Sequence, residues 1–224
     1  MGLTGYTVPM RIIAGKWRGR TIQAPEGMNT RPILDRAKTV LFDILGSRLA
    51  VPGQLPPLAV LDLFSGSGTL GLEALSRGGR FCLFIEQNRA SAEALRGNLD
   101  MLKVISESRI IQGDASTCDW PAPPPVEGEA TGQYDLVFID PPYRMLAGAA
   151  PDLLMGKILR RLATSPVIAP KAWIVVRHEL QTSGGPDLGP LFELERRDVG
   201  TMTFRFMAPV APPTPSEPGS EDEP

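Results

Sequence analysis

Short apolar runs alternate with amphipathic stretches along most of the chain, and this alternation predicts its architecture. Runs of strand length lie at residues 59–64, 81–85, 109–112, 136–139 and 172–176. Between them, apolar side chains recur at helical spacing and predict helices at residues 69–76, 89–102 and 146–163. Such an order is typical of an α/β domain with a mostly parallel sheet that helices cover on both faces.

The segments that flank this region follow other patterns. Two alternating runs around Asp198-Val199-Gly200 predict an antiparallel hairpin at one edge of the sheet. Residues 10–24 predict a small basic hairpin that turns at Gly15, and residues 35–49 have the apolar spacing of a helix. The predicted organisation is a loose leader at 1–9, a hairpin-helix extension at 10–52, the sheet domain at 53–208 and a disordered acidic tail at 209–224.

The composition indicates a protein with a hydrophobic core and no membrane or secretion signal. The 224 residues are 42% hydrophobic and 21% charged, which is ordinary for a globular protein. No apolar stretch has the length of a membrane-spanning helix, and no secretory signal pattern opens the chain. Cys82, Cys118 and His178 are too few for a disulfide framework or a metal cluster. We expect a cytoplasmic monomer that uses no metal and has no membrane partner.

The distribution of charge matters more than its sum. The formal net charge is −2, but residues 1–50 carry eight basic side chains against three acidic ones. The tail carries four acids and no base, so the rest of the chain, taken without it, has a charge of +2. Partner recognition depends on local patches, and a basic N-terminal region is compatible with a nucleic-acid partner. The Pro/Gly-rich segment 119–133 is predicted to be a surface loop.

A glycine-rich turn follows the first predicted strand. Gly66, Gly68 and Gly71 satisfy the pattern G-x-G-x-x-G between that strand and its helix. Glycines in this position let the backbone approach a ligand, and the helix N-terminus offers unpaired N–H groups. The pattern alone indicates a nucleotide-like cofactor and leaves its identity open.

Acidic side chains at three strand ends narrow the choice of cofactor. Asp62, Glu86 and Asp114 follow the first, second and third predicted strands, whose ends meet at the ligand-binding edge of such a sheet. A carboxylate beside the glycine turn would repel a pyrophosphate but suits a ligand that carries positive charge. Glu86 is placed to accept from ribose hydroxyls, and Asp114 from an adenine amine. The cofactor favoured is S-adenosylmethionine, which has an ammonium and a sulfonium group and no phosphate.

The fourth predicted strand ends in the sequence Asp140-Pro141-Pro142-Tyr143. The two prolines restrict the backbone there, which holds a carboxylate, carbonyl groups and an aromatic ring at the mouth of the strand. The Asp140 side chain and the Pro141 carbonyl could accept both N–H groups of an exocyclic base amine. Tyr143 could stack on the base. The motif therefore predicts methylation of a base amine.

Four segments in this order resemble one enzyme family. "MRIIAGKWRGR", "RPILDRAKTVLFDIL", "LDLFSGSGTLGLEALSRG" and "FIDPPY" are similar to the small-subunit ribosomal RNA guanine-N2 methyltransferases of the RsmD type. The resemblance runs from about residue 10 to residue 207, and departs from the family pattern at Ile33, where a Thr is usual. It implies a class I methyltransferase fold with a Rossmann-like, mostly parallel seven-stranded sheet. It also implies S-adenosylmethionine as donor, with S-adenosylhomocysteine as product, and a guanine of 16S rRNA as acceptor, in naked rRNA or in an assembled small subunit.

The predicted site has three parts. The catalytic part comprises Asp140, Pro141, Pro142 and Tyr143. The cofactor-binding part comprises Asp62, Phe64, Gly66, Gly68, Thr69, Glu86, Asp114 and Ala115. The RNA-binding part comprises Arg11, Lys16, Trp17, Arg18, Arg20, Arg31 and Asp35.

Three alternatives explain less of the sequence. A DNA adenine or cytosine amino-methyltransferase shares the chemistry, but the chain offers no obvious domain for reading duplex sequence. A nicotinamide-dependent oxidoreductase would use the glycine turn but leaves Asp140-Pro141-Pro142-Tyr143 unexplained. A non-catalytic RNA-binding module would use residues 10–48 alone and leaves the acids at the strand ends without a role.

Overall fold

The computed structural model of the chain describes residues 10–25, 33–128, 132–142, 145–146, 154–180 and 186–210. Seven strands form one mixed sheet in the order β3-β2-β1-β4-β5-β7-β6. The strands are β1 (Ala59–Asp62), β2 (Phe81–Glu86), β3 (Ser108–Gln112), β4 (Tyr134–Ile139), β5 (Ile168–Glu179), β6 (Phe192–Val199) and β7 (Met202–Ala208). The first five are parallel, and β7 runs antiparallel between β5 and β6. The predicted mostly parallel sheet and the predicted C-terminal hairpin are both confirmed.

Among the described residues, four α-helices pack on this sheet. They are α1 (Asp35–Leu49), α2 (Thr69–Ser76), α3 (Arg89–Leu102) and α4 (Leu154–Thr164). The first three have the predicted bounds. The fourth was predicted from residue 146, which lies in a turn, and residues 147–153 are outside the described part of the chain. Along the described residues, no helix is long and apolar enough to cross a membrane.

Strand β1 lies between β2 and β4, and this position determines where a ligand can bind. Asp62 at the end of β1 is in register with Phe84 of β2 and with Phe138 of β4. After β1 the chain passes through α2 to β2 and then to β3, which both lie on one side of β1. It then crosses to β4 on the other side of β1. The strand order therefore reverses at β1, and a crevice opens at the carboxyl ends of the strands at such a reversal.

The sheet separates two hydrophobic cores. One contains side chains of α1, α2 and α3 against one sheet face, with Phe42 and Phe138 in edge-to-face contact. The other contains side chains of α4, including Ile158, against the opposite face. Ile12 and Ile22 of the N-terminal segment belong to the first core. This segment therefore packs on the sheet domain as part of one hydrophobic layer.

The N-terminal hairpin is shorter than its sequence suggests. Its two arms are joined by a single bridge between Arg11 and Thr21, with further backbone hydrogen bonds such as Ile12 N–H to the Arg20 carbonyl at 2.9 Å. The turn between the arms uses positive φ angles at Gly15 and Gly19. At Gly15 the backbone lies so close to α2 that a Cβ would meet the Ser76 carbonyl oxygen at 1.8 Å.

The loop that follows β3 is anchored where it begins. Trp120 is buried in the second core, and the Arg161 guanidinium lies 3.8 Å from the centre of its ring. The Tyr134 hydroxyl donates to the Pro121 carbonyl at 2.7 Å. The predicted surface loop is therefore solvated mainly at residues 124–128, and residues 129–131 are not described. The leader 1–9 and nearly all of the predicted acidic tail also lie outside the described residues.

Candidate active site

A cavity of about 970 Å³ opens at the carboxyl ends of the parallel strands. Of the residues predicted from the sequence, it is lined by Asp62, Phe64, Gly66, Thr69, Glu86, Asp114, Ala115, Asp140, Pro141 and Pro142. Gly68 does not line the cavity, and Tyr143 is outside the described residues. The structure thus brings the predicted donor acids and the Asp-Pro-Pro acceptor into one space.

The three glycines of the G-x-G-x-x-G pattern have different roles. Gly66 has a φ of +54°, and a Cβ built there would meet nothing within 4 Å, so this backbone faces open space. A Cβ at Gly68 would instead approach the Leu95 side chain to 2.5 Å. At Gly71, a Cβ would meet the Phe84 ring at 2.3 Å. Gly66 is therefore the glycine that leaves room for a ligand, whereas the other two permit close packing of α2.

Asp62 is a buried carboxyl with unused hydrogen-bonding capacity. Its Oδ2 accepts from the Gly71 N–H at 3.1 Å, whereas Oδ1 is buried without a hydrogen-bond partner in the described structure. The pKa of Asp62 is raised to about 8. Burial is the main cause, and the nearby Asp140 and Glu86 carboxylates contribute to the same increase. A cationic hydrogen-bond donor entering the cavity would satisfy Oδ1 and favour its ionised form.

Glu86 and Asp114 lie on the same side of the cavity as the glycine turn. Glu86 accepts from the Gly66 N–H at 2.7 Å and from the Asn88 N–H at 2.6 Å. Asp114 Oδ1 accepts from both the N–H and the hydroxyl of Ser116. These bonds fix the orientation of each carboxylate and leave further lone pairs for a ligand, since a carboxylate offers about four acceptor sites.

The acidic side chains on this side of the cavity fit S-adenosylmethionine. The unsatisfied Oδ1 of Asp62 is an acceptor suited to an ammonium group, and the oriented carboxylates of Glu86 and Asp114 are acceptors suited to ribose hydroxyls and an adenine amine. The open space beside Gly66 leaves room for the ligand itself. Within the described residues, no group of three or more His, Cys, Asp or Glu side chains could hold a metal ion.

Asp140 lies next to this donor side and is paired with an arginine that sequence reasoning missed. Its Oδ1 accepts from Arg177 Nε at 2.5 Å, and both side chains line the cavity. Burial raises the pKa of Asp140, while the Arg177 guanidinium acts in the opposite direction. The predicted fifth strand stopped at residue 176, whereas β5 continues to Glu179 and includes Arg177.

The N-terminal segment supplies a further wall that the sequence did not predict. Met10, Pro25 and Ile33 line the cavity. The Met10 sulfur lies 3.7 Å from the Thr69 hydroxyl and 3.9 Å from the Ser67 hydroxyl, above the turn that begins α2. Ile33 is buried here. The three side chains therefore form an apolar wall.

The side chains predicted to bind RNA divide into paired and unpaired groups. Arg11 forms an ion pair with Asp35 at 2.7 Å, and Lys16 forms one with Glu107 at 2.8 Å. Lys16 also lies 4.2 Å from the centre of the half-buried Trp17 ring. Arg18 and Arg20 are exposed and have no side-chain partner among the described residues. Arg31 is not described.

Comparisons with known proteins agree with this geometry. The family model "Conserved hypothetical protein 95" matches residues 10–208. Ribosomal RNA small subunit methyltransferase D of Escherichia coli K12 is 32% identical over 198 residues, which are 88% of each chain. The chain belongs to the RsmD family. Its resemblance to that family, inferred above from four sequence segments, is confirmed.

Further RsmD-family members and a solved structure support the same assignment. Ribosomal RNA small subunit methyltransferase D of Haemophilus influenzae is 33% identical over 180 residues, covering 76% of this chain and 88% of that protein. The solved structure named "Putative methyltransferase yhhF from Escherichia coli" superposes with a TM-score of 0.69 at 28% identity, covering 89% of this chain and 97% of that one. The chain is a methyltransferase with the class I fold, as predicted.

The raised pKa of Asp62 makes stability depend on pH. Because this pKa is near its ordinary value in the unfolded chain and about 8 in the folded one, folding takes up a proton between these values. The free energy of unfolding should therefore decrease as pH rises from about 4 to about 8, by up to about 1.4 kcal/mol per pH unit. Asp62→Asn should flatten this dependence in urea titrations at several pH values. An unchanged slope in the variant would contradict the raised pKa.

Proposed function

We propose that the protein transfers a methyl group from S-adenosylmethionine to the exocyclic N2 amine of a guanine in 16S rRNA. One observation carries the proposal. The Asp140-Pro141-Pro142 acceptor lies in the same cavity as the unsatisfied carboxyl oxygen of Asp62, at the reversal of strand order. Family membership supports an rRNA acceptor, because relatives of 32% and 33% identity are named as small-subunit rRNA methyltransferases. A ribosomal substrate is also consistent with the cytoplasmic location expected above.

The chain's own residues would prepare a poor nucleophile for attack. The lone pair of a base amine is delocalised into the ring, so the amine must be held and polarised before it reacts. Asp140 Oδ2, which has no hydrogen-bond partner in the described structure, and the Pro141 carbonyl would accept its two N–H groups. Developing positive charge on nitrogen would then be stabilised by the Asp140 carboxylate.

The donor side would place the reactive methyl. S-adenosylmethionine, when bound, supplies an electrophilic methyl group on a sulfonium centre. Asp62, Glu86 and Asp114 would orient it from the ends of β1, β2 and the segment after β3. Positioning of two reactants in this manner supplies a large part of the rate enhancement in enzymes of this kind. Tyr143 is proposed to stack on the guanine, as the motif predicts.

Methylation assays test the proposal directly. The protein would be incubated with labelled S-adenosylmethionine and, separately, with small subunits that lack the modification, naked 16S rRNA and duplex DNA. Nucleoside analysis should then identify N2-methylguanosine from a ribosomal substrate. Label in adenine or cytosine of DNA would overturn the proposed acceptor and favour the DNA amino-methyltransferase.

A binding assay tests the proposed cofactor separately from the acceptor. S-adenosylhomocysteine at 100 times its Kd should stabilise the protein by about 2.7 kcal/mol, visible as a rise in Tm, whereas NAD should have no effect. Stabilisation by NAD alone would favour an oxidoreductase. Stabilisation by neither ligand would favour a non-catalytic RNA-binding module.

Arg18 and Arg20 should carry more of the RNA affinity than their ion-paired neighbours. Each exposed cation that contacts a phosphate contributes about 0.7–0.9 to the log–log dependence of affinity on salt. The double variant Arg18→Ala/Arg20→Ala should therefore flatten this slope by roughly 1.4–1.8. Filter binding of 16S rRNA at several salt concentrations measures it.

Arg48→Ala provides the matched control for this test. Arg48 is also an exposed arginine of the N-terminal region, but it is already paired with Glu195 at 3.0 Å. Its replacement should leave the slope unchanged. If the double variant binds with the wild-type affinity and slope, the hairpin is not the RNA-contacting segment.

A further inference from the structure

The end of β5 supplies a cation to the acceptor side of the cavity. Ile139, the last residue of β4, is in register with Val176 of β5, so the next residues, Asp140 and Arg177, are neighbours at the carboxyl edge. The Arg177 side chain is 10% exposed and that of Asp140 is 16% exposed. Their contact at 2.5 Å is thus a largely buried, charge-assisted hydrogen bond rather than a surface ion pair.

This contact gives the two carboxylate oxygens of Asp140 different surroundings. Oδ1 accepts from Arg177 Nε, and Oδ2 has no hydrogen-bond partner among the described residues. A carboxylate whose side-chain torsions were unrestrained could present either oxygen to a substrate amine. The guanidinium removes this freedom because its planar donors fix the direction of the accepted bond.

We propose that Arg177 is a positioning residue for methyl transfer, which holds Asp140 by Oδ1 so that Oδ2 faces the substrate amine. The inference rests on the proposed function, since it specifies how the acceptor side of that site is oriented. Arg177 itself need not contact the amine or the donor. It acts through Asp140, at the neighbouring end of β4.

Charge supports the same role. The other ionisable side chains that line the cavity are Asp62, Glu86, Arg89, Asp114 and Glu179. Four of these five are acids, and Arg89 is paired with Glu93 outside the acceptor side. Burial favours a neutral Asp140, and a neutral carboxyl is a weaker acceptor. The Arg177 guanidinium opposes this effect, although burial dominates and the pKa of Asp140 stays above its ordinary value.

Arg177→Gln and Arg177→Lys test the proposal. Loss of a neighbouring opposite charge typically raises a carboxyl pKa by about 1–3 units. The acidic midpoint of the kcat–pH profile should therefore move upward by about that amount in Arg177→Gln. At pH values below the new midpoint, the kcat of the variant should be at least about tenfold lower than that of the wild type. Arg177→Lys keeps the positive charge and should return the midpoint most of the way to its wild-type pH. The affinity for S-adenosylhomocysteine should stay within about threefold, because the donor acids are untouched.

Arg205→Gln is the matched control. Arg205 is also a mostly buried arginine of this sheet and pairs with a carboxylate, Glu193. It is in register with Val176, whose side chain belongs to the core on the other sheet face. Its loss should reduce stability without moving the pH midpoint. If Arg177→Gln and Arg205→Gln give the same pH profile, Arg177 is merely structural and the proposal is wrong.

A second measurement does not require the RNA substrate. The ¹³C chemical shift of the Asp140 carboxyl, followed against pH in the free protein, should report an upward shift of its titration in Arg177→Gln. An unchanged titration would overturn the inference even if the enzyme methylates guanine. Conversely, absence of methylation by the wild type, together with a shifted titration, would refute the proposed function and leave the pairing of Arg177 with Asp140 intact.

Discussion

Asp140→Ala is expected to lower kcat for methyl transfer by about 10²–10³-fold, or roughly 2.7–4 kcal/mol, by analogy with the loss of one oxyanion-hole donor. The variant removes an acceptor from the substrate amine and leaves the buried Arg177 guanidinium without its carboxylate. Single-turnover rates at saturating rRNA and S-adenosylmethionine measure the loss. Titration calorimetry should show little change in cofactor affinity, since Asp62, Glu86 and Asp114 stay in place.

Asp135→Ala separates this effect from general damage to β4. Asp135 lies at the opposite end of the same strand, where its Oδ2 accepts from the Ala59 N–H at 2.8 Å. Its loss should reduce stability and leave the single-turnover rate of the folded protein unchanged. If Asp140→Ala turns over at nearly the wild-type rate, Asp140 is not the acceptor of the amine.

Glu73→Gln should destabilise the fold by about 3–5 kcal/mol, the usual range for breaking a buried ion pair. Glu73 is fully buried in α2, where its carboxylate accepts from Arg77 Nε at 2.8 Å and lies 3.8 Å from Lys38 Nζ. It also accepts from the backbone N–H groups of Ile13 and Ala14. The amide would leave the buried Arg77 guanidinium without the carboxylate that it pairs with, and Lys38 Nζ with only the partly exposed Asp35 carboxylate at 3.5 Å. Urea unfolding monitored by circular dichroism measures the change.

A variant of a surface ion pair provides the comparison for the loss of stability in Glu73→Gln. Glu107→Gln also removes a carboxylate that pairs with a lysine of the N-terminal region, Lys16, but both side chains are more than a third exposed. Solvent screening should make its effect much smaller. Equal effects of the two substitutions would show that burial of Glu73 does not determine the stability of the contact.

The order of elements was predictable because each depends on local pattern. Apolar runs of five or six residues and the helical spacing of 35–49 and 89–102 specify strands and helices with little help from distant residues. The acids at the ends of β1, β2 and β4 were also predictable, since parallel strands that alternate with helices bring their carboxyl ends to one edge. For these reasons the common location of Asp62, Glu86 and Asp140 at one cavity was predictable from the sequence.

Contacts between residues far apart in sequence were not predictable in this way. Lys16 pairs with Glu107, 91 residues away along the chain, and Glu73 accepts from the N–H of Ile13, 60 residues away. Lys16 was therefore assigned to RNA, and Glu73 received no role. Arg177 was missed because its significance depends on the register between β4 and β5. Met10 was treated as the start of a hairpin, although its sulfur lies against Thr69.

The position of β1 between β2 and β4 has a consequence for how acceptor choice could evolve. The acids proposed to bind the methyl donor lie at the ends of β1 and β2 and in the segment after β3. Asp140, directly after β4, and Arg177, near the end of β5, lie on the other side. Substitutions at the ends of β4 and β5 can therefore reshape the acceptor pocket while the donor half is inherited unchanged. An altered base preference should arise from this half of the sheet, and grafting β4 and β5 ends between relatives would transfer it.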